Sequence, residues 1–323
     1  MKLELSIIVA MYNTKEYLSS FFSCLENQTF KNFEVIIVDD VSTDGSKEFV
    51  RDYITKSKLN IRLIESEVKL LPDLARKTAF NLCAGDYVIY LDTDDEFTDD
   101  YLDSMISLTV KNDLDFVVSS CQRINENSKK IKKRRELSRD TIPLLTDEQK
   151  KLLIGGRYGG WNRMCKREYL INHNYNYLSA ELPLFILQFD KDAKVGITNK
   201  GCYYYRARGG SISRAGVPKR IAEYDLLEPL DWYKKINLSR KNKDVLGLYV
   251  FRMVLPYIYY KKYALKDYDF KADIKYVRKT CDFKWKTYFK VFRILEKRDK
   301  FITFVFALRL HWIAFLFIKK FRN

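Results

Sequence analysis

One stretch of the sequence decides the fold: Tyr87-Val-Ile-Tyr-Leu91, followed at once by Asp92-Thr-Asp-Asp-Glu96. The apolar run predicts a short buried strand, and four of the next five residues are acidic. Such a strand places negative charge at the carboxyl edge of a sheet, where open α/β sheets bind ligands. Carboxylates this close repel one another unless a cation or a proton intervenes. A hard divalent metal that bridges to phosphate oxygens would relieve the repulsion. The competing interpretation is an acidic cap on the following helix.

The residues before this stretch alternate between strand and helix patterns. Short apolar runs predict buried strands at 5–10, 33–38 and 61–64, and helical spacing predicts helices at 17–25, 46–53 and 73–83. Residues 1–120 therefore predict an α/β fold with a doubly wound, mostly parallel sheet.

Composition narrows the class of protein. The chain has 323 residues, of which 47% are hydrophobic, enough for a sizeable core. Its six cysteines are spread evenly without C-x-x-C spacing, which argues against a zinc site and a disulfide scaffold and favours a reducing, cytosolic setting. The sequence moves from its first residues into a strand pattern, so no signal peptide is expected.

The charge is distributed unevenly along the chain. The net charge is +16, but residues 1–120 hold 12 basic and 22 acidic residues, whereas the remainder holds 46 and 20. A basic second half predicts a polyanion or an anionic membrane surface as partner. No helix-turn-helix, zinc-finger or RNA-recognition signature accompanies the charge, so a nucleic acid is not expected.

Four segments, in order, resemble family 2 glycosyltransferases of the GT-A fold, of the type that makes bacterial surface polysaccharide or teichoic acid. They are Ser6–Asn13, Val38–Ser46, Ala75-Arg76 and Ala84–Asp95. The resemblance covers roughly residues 4–215. It implies inverting transfer of a sugar from a UDP-sugar, either a UDP-hexose or a UDP-N-acetylhexosamine.

The resemblance also assigns the donor site. Asp39 matches the residue that recognises uracil, with Tyr12 and the backbone near Ala10 flanking the base. Arg76 matches an arginine near the diphosphate, since a guanidinium offers a fixed fork of donors. Asp40 is expected to cap or brace its turn. The chain departs from the family at Leu70-Leu71-Pro72, where a glycine is usual, and at Lys77, where asparagine is usual.

Asp92-Thr93-Asp94 matches the family's D-x-D motif. By resemblance, Asp94 binds Mn²⁺ or Mg²⁺ directly, and Asp92 acts through the ribose or a metal-bound water. The metal would bridge the two phosphates and stabilise the UDP leaving group.

Three further segments carry expected roles. Glu181 stands where the family has the Asp that serves as general base, and Asp190 and Asp192 are weaker candidates. Trp161 and Asn162 match a Trp-Asn-Lys segment that suggests acceptor contact, with a core tryptophan as the alternative. Arg206, Arg208 and Ser211 resemble a loop that closes on the diphosphate, and surface arginines at a strand end are the alternative.

The predicted organisation is a GT-A catalytic domain over residues 1–215 and a basic helical region over 216–323. The catalytic domain divides into a nucleotide-sugar half, about 1–120, and an acceptor half, about 121–215. In the latter, residues 128–135 form a basic block, interpreted as a solvated loop or as a contact with an anionic acceptor or lipid. Aromatic and basic residues of the tail suit a membrane interface, and oligomerisation through these helices is the alternative.

The apolar run at 301–318 contains Arg309 and His311, so a packed or in-plane helix is expected rather than a spanning one. The expected location is the inner face of the cell membrane, with a glycan or lipid-linked glycan as acceptor. Two other functions stay open. A nucleotidyl- or methyltransferase would need a glycine-rich loop after the first strand, and residues 10–14 contain no glycine. A non-catalytic basic binder on a degenerate GT-A scaffold explains the charge of the second half only.

Overall fold

The computed structural model describes residues 4–131, 142–144, 159–175, 181–208, 228–238 and 268–281, with single positions at 153, 243, 246–247, 250, 254, 258, 261–262, 304–305 and 313. The chain divides into two compact units. The first comprises Met1–Leu145, Tyr158–Glu181 and Ala193–Ala207, and the second Thr146–Arg157, Leu182–Asp192 and Arg208–Asn323. The predicted boundary near residue 215 stays a prediction.

The first unit begins with alternating strands and helices, as predicted. In order they are β1 (Leu5–Met11), α1 (Lys15–Glu26), β2 (Phe33–Asp39), α2 (Ser46–Lys56), β3 (Asn60–Glu65), α3 (Leu71–Asn81), β4 (Tyr87–Leu91), β5 (Glu96–Phe97) and α4 (Tyr101–Asn112). There follow β6 (Phe116–Ile124), β7 (Ile142–Leu144), a short 3-10 helix (Gly160–Asn162), β8 (Arg163–Lys166), α5 (Arg167–Asn172) and β9 (Val195–Arg206).

The described strands form one nine-stranded sheet with the order β3-β2-β1-β4-β8-β6-β9-β5, and β7 pairs with β9. The four strands β3, β2, β1 and β4 are parallel, which confirms the doubly wound prediction for the first half. Strand β8 then pairs antiparallel with β4 and β6, so the second half of the sheet is mixed.

The strand register brings the acidic segments to one edge. Met11 is level with Asp39, and Val9 with Leu91, so β1, β2 and β4 end almost side by side. Strand β1 lies between β2 and β4: the crossover from β1 leads to β2 on one side, and the crossover from β3 leads back to β4 on the other. This is the topological switch point at which doubly wound sheets bind ligands.

The central strands are buried on both faces, which explains their continuous apolar sequence. All seven residues of β2 are buried, and so are six of the seven in β1. Helix α1 covers one face with Leu18, Phe21, Phe22 and Leu25, the spacing that predicted it. The helices therefore hold the carboxyl ends of the strands in fixed positions.

Three described helices belong to the second unit: α6 (Glu181–Leu187), α7 (Glu228–Lys235) and α8 (Phe270–Cys281). The first residue of α6, Glu181, is the last residue of a segment of the first unit. Helix α8 buries Ile274, Val277 and Cys281. Most of residues 283–323, including nearly all of the run 301–318, lies outside the described residues. Among the described helices, none combines the length and apolar character needed to cross a bilayer.

Candidate active site at the carboxyl edge of the sheet

Hydrogen bonds join the loops that follow β1 and β2. The amide of Asn13 donates to Ser42 Oγ at 3.0 Å, and the amide of Thr43 donates to Asn13 Oδ1 at 2.8 Å. Asn13 has a φ of 49° and Val41 one of 61°. The two hydrogen bonds and the left-handed backbone at Asn13 and Val41 thus tie the loops after β1 and β2 to each other.

Asp39 has an acceptor that the described protein does not use. The side chain is 1% exposed, and its Oδ2 accepts the Ser42 amide at 3.1 Å. Within the described residues, no donor reaches the buried Oδ1. A buried acceptor without a donor is unfavourable, so this oxygen suits a ligand N–H such as the imide of uracil.

Asp40 braces the segment at the start of α3, and its expected role in its own turn stays a prediction. Its carboxylate accepts the amides of Leu70 at 2.5 Å and Leu71 at 3.1 Å, at the start of α3. Lys69 donates to the Asp40 carbonyl at 2.8 Å and places its ammonium over the ring of Tyr12. The loop 69–71 and Tyr12 are thus fixed to the end of β2.

Three carboxylates gather after β4. Oxygens of Asp92, Asp94 and Asp95 lie within 4.8 Å of one another. Burial raises the pKa of the Asp95 carboxyl well above its usual value, and the charges of Asp94 and Asp92 raise it further. Three such oxygens fit a hard divalent cation such as Mn²⁺ or Mg²⁺. Asp95 was absent from the predicted ligands, although its place directly after Asp94 was a usable signal.

Arg76 pairs with this cluster from α3. Its Nη2 lies 2.6 Å from Asp92 Oδ1, and its side chain is mostly buried. Thr93 points inward and donates to Thr14 Oγ1 at 2.8 Å. The backbone between the two acids is therefore anchored to the start of α1.

Arg206 is more deeply buried than its expected lid role implies. It is 4% exposed, and its Nε donates to the Asp94 carbonyl at 2.7 Å. Arg208 is half-buried, and Ser211 lies outside the described residues.

The expected acceptor residues pack inside the first unit. Trp161 stacks on Tyr203 with ring centroids 4.7 Å apart and on Tyr205 at 5.6 Å. Asn162 is buried, donates to the Ser119 carbonyl at 3.3 Å and accepts from Arg163 at 2.6 Å. This packing matches the core alternative for Trp161, and an acceptor contact stays a prediction.

The candidate bases are located only in part. Glu181 is the first residue of α6, and its side chain lies outside the description. Asp190 is buried in the second unit, where its Oδ1 accepts the amide of Asp192 at 3.0 Å. Asp192 itself is exposed. The choice of base stays a prediction.

Comparisons with known proteins bear on the family and the fold of this chain. Among curated proteins, the chain is 27% identical over 235 residues to the glycosyltransferase GlyA of Streptococcus pneumoniae, covering 67% of this chain and 32% of GlyA. It is 40% identical over 106 residues to the amylovoran biosynthesis glycosyltransferase AmsB of Erwinia amylovora, covering 32% of this chain and 35% of AmsB. The chain thus spans about a third of the length of these two relatives.

Two further matches cover more of both chains. The UDP-Glc:alpha-D-GlcNAc-diphosphoundecaprenol beta-1,3-glucosyltransferase WfgD of Escherichia coli is 27% identical over 228 residues, 69% of this chain and 84% of WfgD. Among solved structures, residues 1–349 of S. aureus TarS in complex with UDP-GlcNAc superpose with a TM-score of 0.64 at 19% identity. That superposition covers 97% of this chain and 89% of the other, and it shows a shared fold.

The profile described as Glycosyl transferase family 2 matches residues 6–173, just over half of the chain. The matched range contains the Asp39 turn, Arg76 and the acidic cluster. This chain belongs to glycosyl transferase family 2.

Proposed function

We propose that this protein is an inverting glycosyltransferase that moves a sugar from a UDP-sugar to a hydroxyl of a cell-surface glycan precursor. One observation carries the proposal: the Asp39 oxygen that no donor in the described part of the chain reaches and the Asp92, Asp94 and Asp95 cluster lie at the same edge of the sheet. Their strands are separated only by β1, so about two strand spacings, ~10 Å, separate them. A nucleoside diphosphate can span that separation.

On this proposal, the chain recognises the two ends of UDP separately. Asp39 accepts the uracil imide N–H, while Tyr12 and the backbone at Ala10 flank the base. Asp94, Asp92 and Asp95 would hold Mn²⁺ or Mg²⁺, which stabilises the charge developing on the diphosphate as the glycosidic bond breaks. Arg76 supplies positive charge beside Asp92. The UDP-GlcNAc complex of TarS, a protein with the same fold, supports a UDP-sugar donor.

The acceptor side rests on fewer observations. Glu181 is the proposed general base, because an inverting transfer needs one carboxylate within reach of the attacking hydroxyl. The proposed acceptor is a capsule, exopolysaccharide, lipopolysaccharide or teichoic acid intermediate. The name of AmsB, an amylovoran biosynthesis enzyme, supports a glycan precursor, and the diphosphoundecaprenol in the name of WfgD supports a lipid-linked one. Such an acceptor would place the protein at the inner face of the cell membrane. The basic tail is proposed to contact that surface or a second subunit.

The decisive test compares two Asp→Asn variants. Wild-type protein should hydrolyse UDP-sugars slowly, and Mn²⁺ or Mg²⁺ should be required. Asp94→Asn should lower that rate by about two orders of magnitude or more, since loss of metal binding costs several kcal/mol. Asp52→Asn, at an exposed position on α2, is the matched control and should leave the rate unchanged. Full turnover in excess chelator would refute the metal role.

A second test addresses the base and the non-catalytic alternative. Glu181→Gln should retain UDP binding and lose transfer, whereas Asp190→Asn and Asp192→Asn should retain both. Transfer at the wild-type rate in Glu181→Gln would assign the base elsewhere. UDP binding by the wild type without transfer or hydrolysis, across a panel of UDP-sugars, would favour the non-catalytic binder.

A further inference from the structure

Arg206, the last residue of β9, directs its whole guanidinium into the protein. A guanidinium has five N–H donors. Here they face the Asp94 carbonyl, the carbonyls of Asn125 and Glu126, the hydroxyl of Ser128 and the carboxylate of Glu96. The distances are 2.7 Å to Asp94, 2.6 Å to Glu126 and 3.2 Å to Asn125 and Ser128.

Arg206 holds the acidic cluster at two consecutive residues. Its backbone N–H donates to Asp95 Oδ1 at 2.7 Å, and its Nε donates to the Asp94 carbonyl at 2.7 Å. The first bond holds the Asp95 carboxylate itself, and the second holds the carbonyl of the peptide between Asp94 and Asp95. The direction of each Cα–Cβ bond depends on that peptide, so the contacts set where the two carboxylates point.

The charge of Arg206 is already matched inside the protein. Glu96 forms an ion pair with it, and Glu96 also accepts hydroxyl bonds from Ser128 at 2.6 Å and Ser20 at 3.1 Å. The guanidinium lies 5.3 Å from the ring of Tyr17 on its other side. An arginine that closes on a diphosphate needs donors that it can present to the ligand, and those of Arg206 face protein acceptors.

We propose that Arg206 is a positioning residue that orients Asp94 and Asp95 so that their carboxylates can meet one divalent cation. The proposal rests on the metal role of the cluster in the proposed function. It also assigns the lid role to groups other than Arg206. Because Arg206 also holds the turn 125–128, it links the cluster to the segment from which the basic block 128–135 begins.

The test measures Mn²⁺ affinity in the absence of any substrate, by electron paramagnetic resonance of free Mn²⁺. Arg206→Lys keeps the positive charge beside Glu96, but a lysine ammonium cannot reproduce the five N–H donors of the guanidinium. Its Mn²⁺ affinity should fall about 10- to 100-fold, the usual effect of losing a group that orients a metal ligand. Uridine carries no phosphate, so its affinity should stay unchanged.

Arg51→Lys is the matched control, because Arg51 forms a similar forked pair with Glu65 on the surface. This variant should bind Mn²⁺ as the wild type does. If Arg206→Lys fails to fold, as judged by circular dichroism, Ser128→Ala removes one acceptor of the fork and should weaken Mn²⁺ binding by a few fold. Either variant should lose Mn²⁺ affinity while retaining uridine affinity.

The outcomes separate this proposal from the proposed function. Unchanged Mn²⁺ affinity in both folded variants would overturn the positioning role and leave the glycosyltransferase proposal intact. Unchanged Mn²⁺ affinity with weaker UDP binding in Arg206→Lys would restore the lid role. Wild-type protein that binds UDP but no Mn²⁺ would refute the metal and this inference together. Wild-type protein that binds Mn²⁺ but transfers no sugar would refute the proposed function alone.

Discussion

Buried carboxylates at the two edges of the parallel strands differ in how many of their oxygens have hydrogen-bond partners. Near their amino ends, Glu34 is 3% exposed and saturated with partners: Oε1 accepts Ser6 Oγ and the Ala84 amide, both at 2.7 Å, and Oε2 pairs with Arg62 at 2.9 Å. At the carboxyl ends, Asp39 is as buried but keeps an oxygen that no donor among the described residues reaches. Equal burial therefore accompanies two different hydrogen-bonding states of a carboxylate.

The difference lies in the number of partners. A carboxylate whose oxygens are all occupied contributes to the folded state, because removing it would leave buried donors unsatisfied. A buried carboxylate oxygen without a donor destabilises the free protein, and a ligand that donates a hydrogen bond to it removes this penalty. The same carboxylate-to-amide substitution should therefore mainly lower ligand affinity at the carboxyl edge and mainly lower stability at the amino edge.

Between the two edges, the larger effect is expected at Asp39. In Asp39→Asn, the amide oxygen should keep the bond from the Ser42 amide, and the NH₂ would then face the uracil imide N–H. Because two donors would then face each other, UDP binding should weaken by roughly 10- to 100-fold. This corresponds to the penalty of about 1–3 kcal/mol for leaving a buried donor without an acceptor. Isothermal titration calorimetry measures the change.

The same variant offers a test of base specificity. Cytosine presents an acceptor where uracil presents its imide donor, so Asp39→Asn should narrow or reverse the preference for UDP over CDP. Its free energy of unfolding should change little. Unaltered UDP affinity would show that Oδ1 is not the base contact.

The matched change at the other edge should affect stability instead. In Glu34→Gln, the amide oxygen can accept from Ser6 and Ala84, but the NH₂ would face the Arg62 guanidinium. The free energy of unfolding should fall by about 1–2 kcal/mol, because one charged hydrogen bond is lost. Urea denaturation gives the value, and UDP affinity should equal that of the wild type. A loss of UDP affinity without a loss of stability would contradict the comparison.

The smallest effect is expected at Leu71, on the loop held by Asp40. Leu71 has a φ of 66°, in the left-handed region that favours glycine, and the family usually carries a glycine near this position. Leu71→Gly should raise the free energy of unfolding by about 0.5 kcal/mol, because relief of strain exceeds the added entropy of the unfolded chain. Leu74→Gly, inside α3 and exposed, should lower it. Destabilisation by both changes would argue against strain at Leu71.

The sequence predicted the first half of the fold closely. Four elements lie within about two residues of their predicted bounds: β1, β2, β4 and α1. The strands have continuous apolar runs because they are buried on both faces, and the helix has helical apolar spacing because it is buried on one face. The antiparallel insertion of β8 between β4 and β6 was not predicted. Its four residues carry no alternation strong enough to indicate a neighbour.

The site was predicted in part. Asp39, Asp92 and Asp94 lie at the expected edge because motif and strand end coincide in the sequence, and Arg76 reaches Asp92 from α3. Asp95 and Glu96 were recognised as acidic residues, but their contacts with Arg206 were not predicted. The contact of Tyr203, whose hydroxyl accepts the Asp92 amide at 3.3 Å, was not predicted.

The sequence by itself determined the family, the parallel strands and the acids at their carboxyl ends, because periodicity and motif spacing are local properties of the chain. Only the tertiary structure decided which polar groups have partners. Arg206 is 110 residues from Glu96 and about 80 from the turn 125–128, and these contacts depend on how β9 pairs with β5 and β6. Long-range pairing therefore separated Asp39, which keeps an oxygen that no described donor reaches, from saturated carboxylates such as Glu34, and it directed Arg206 inward.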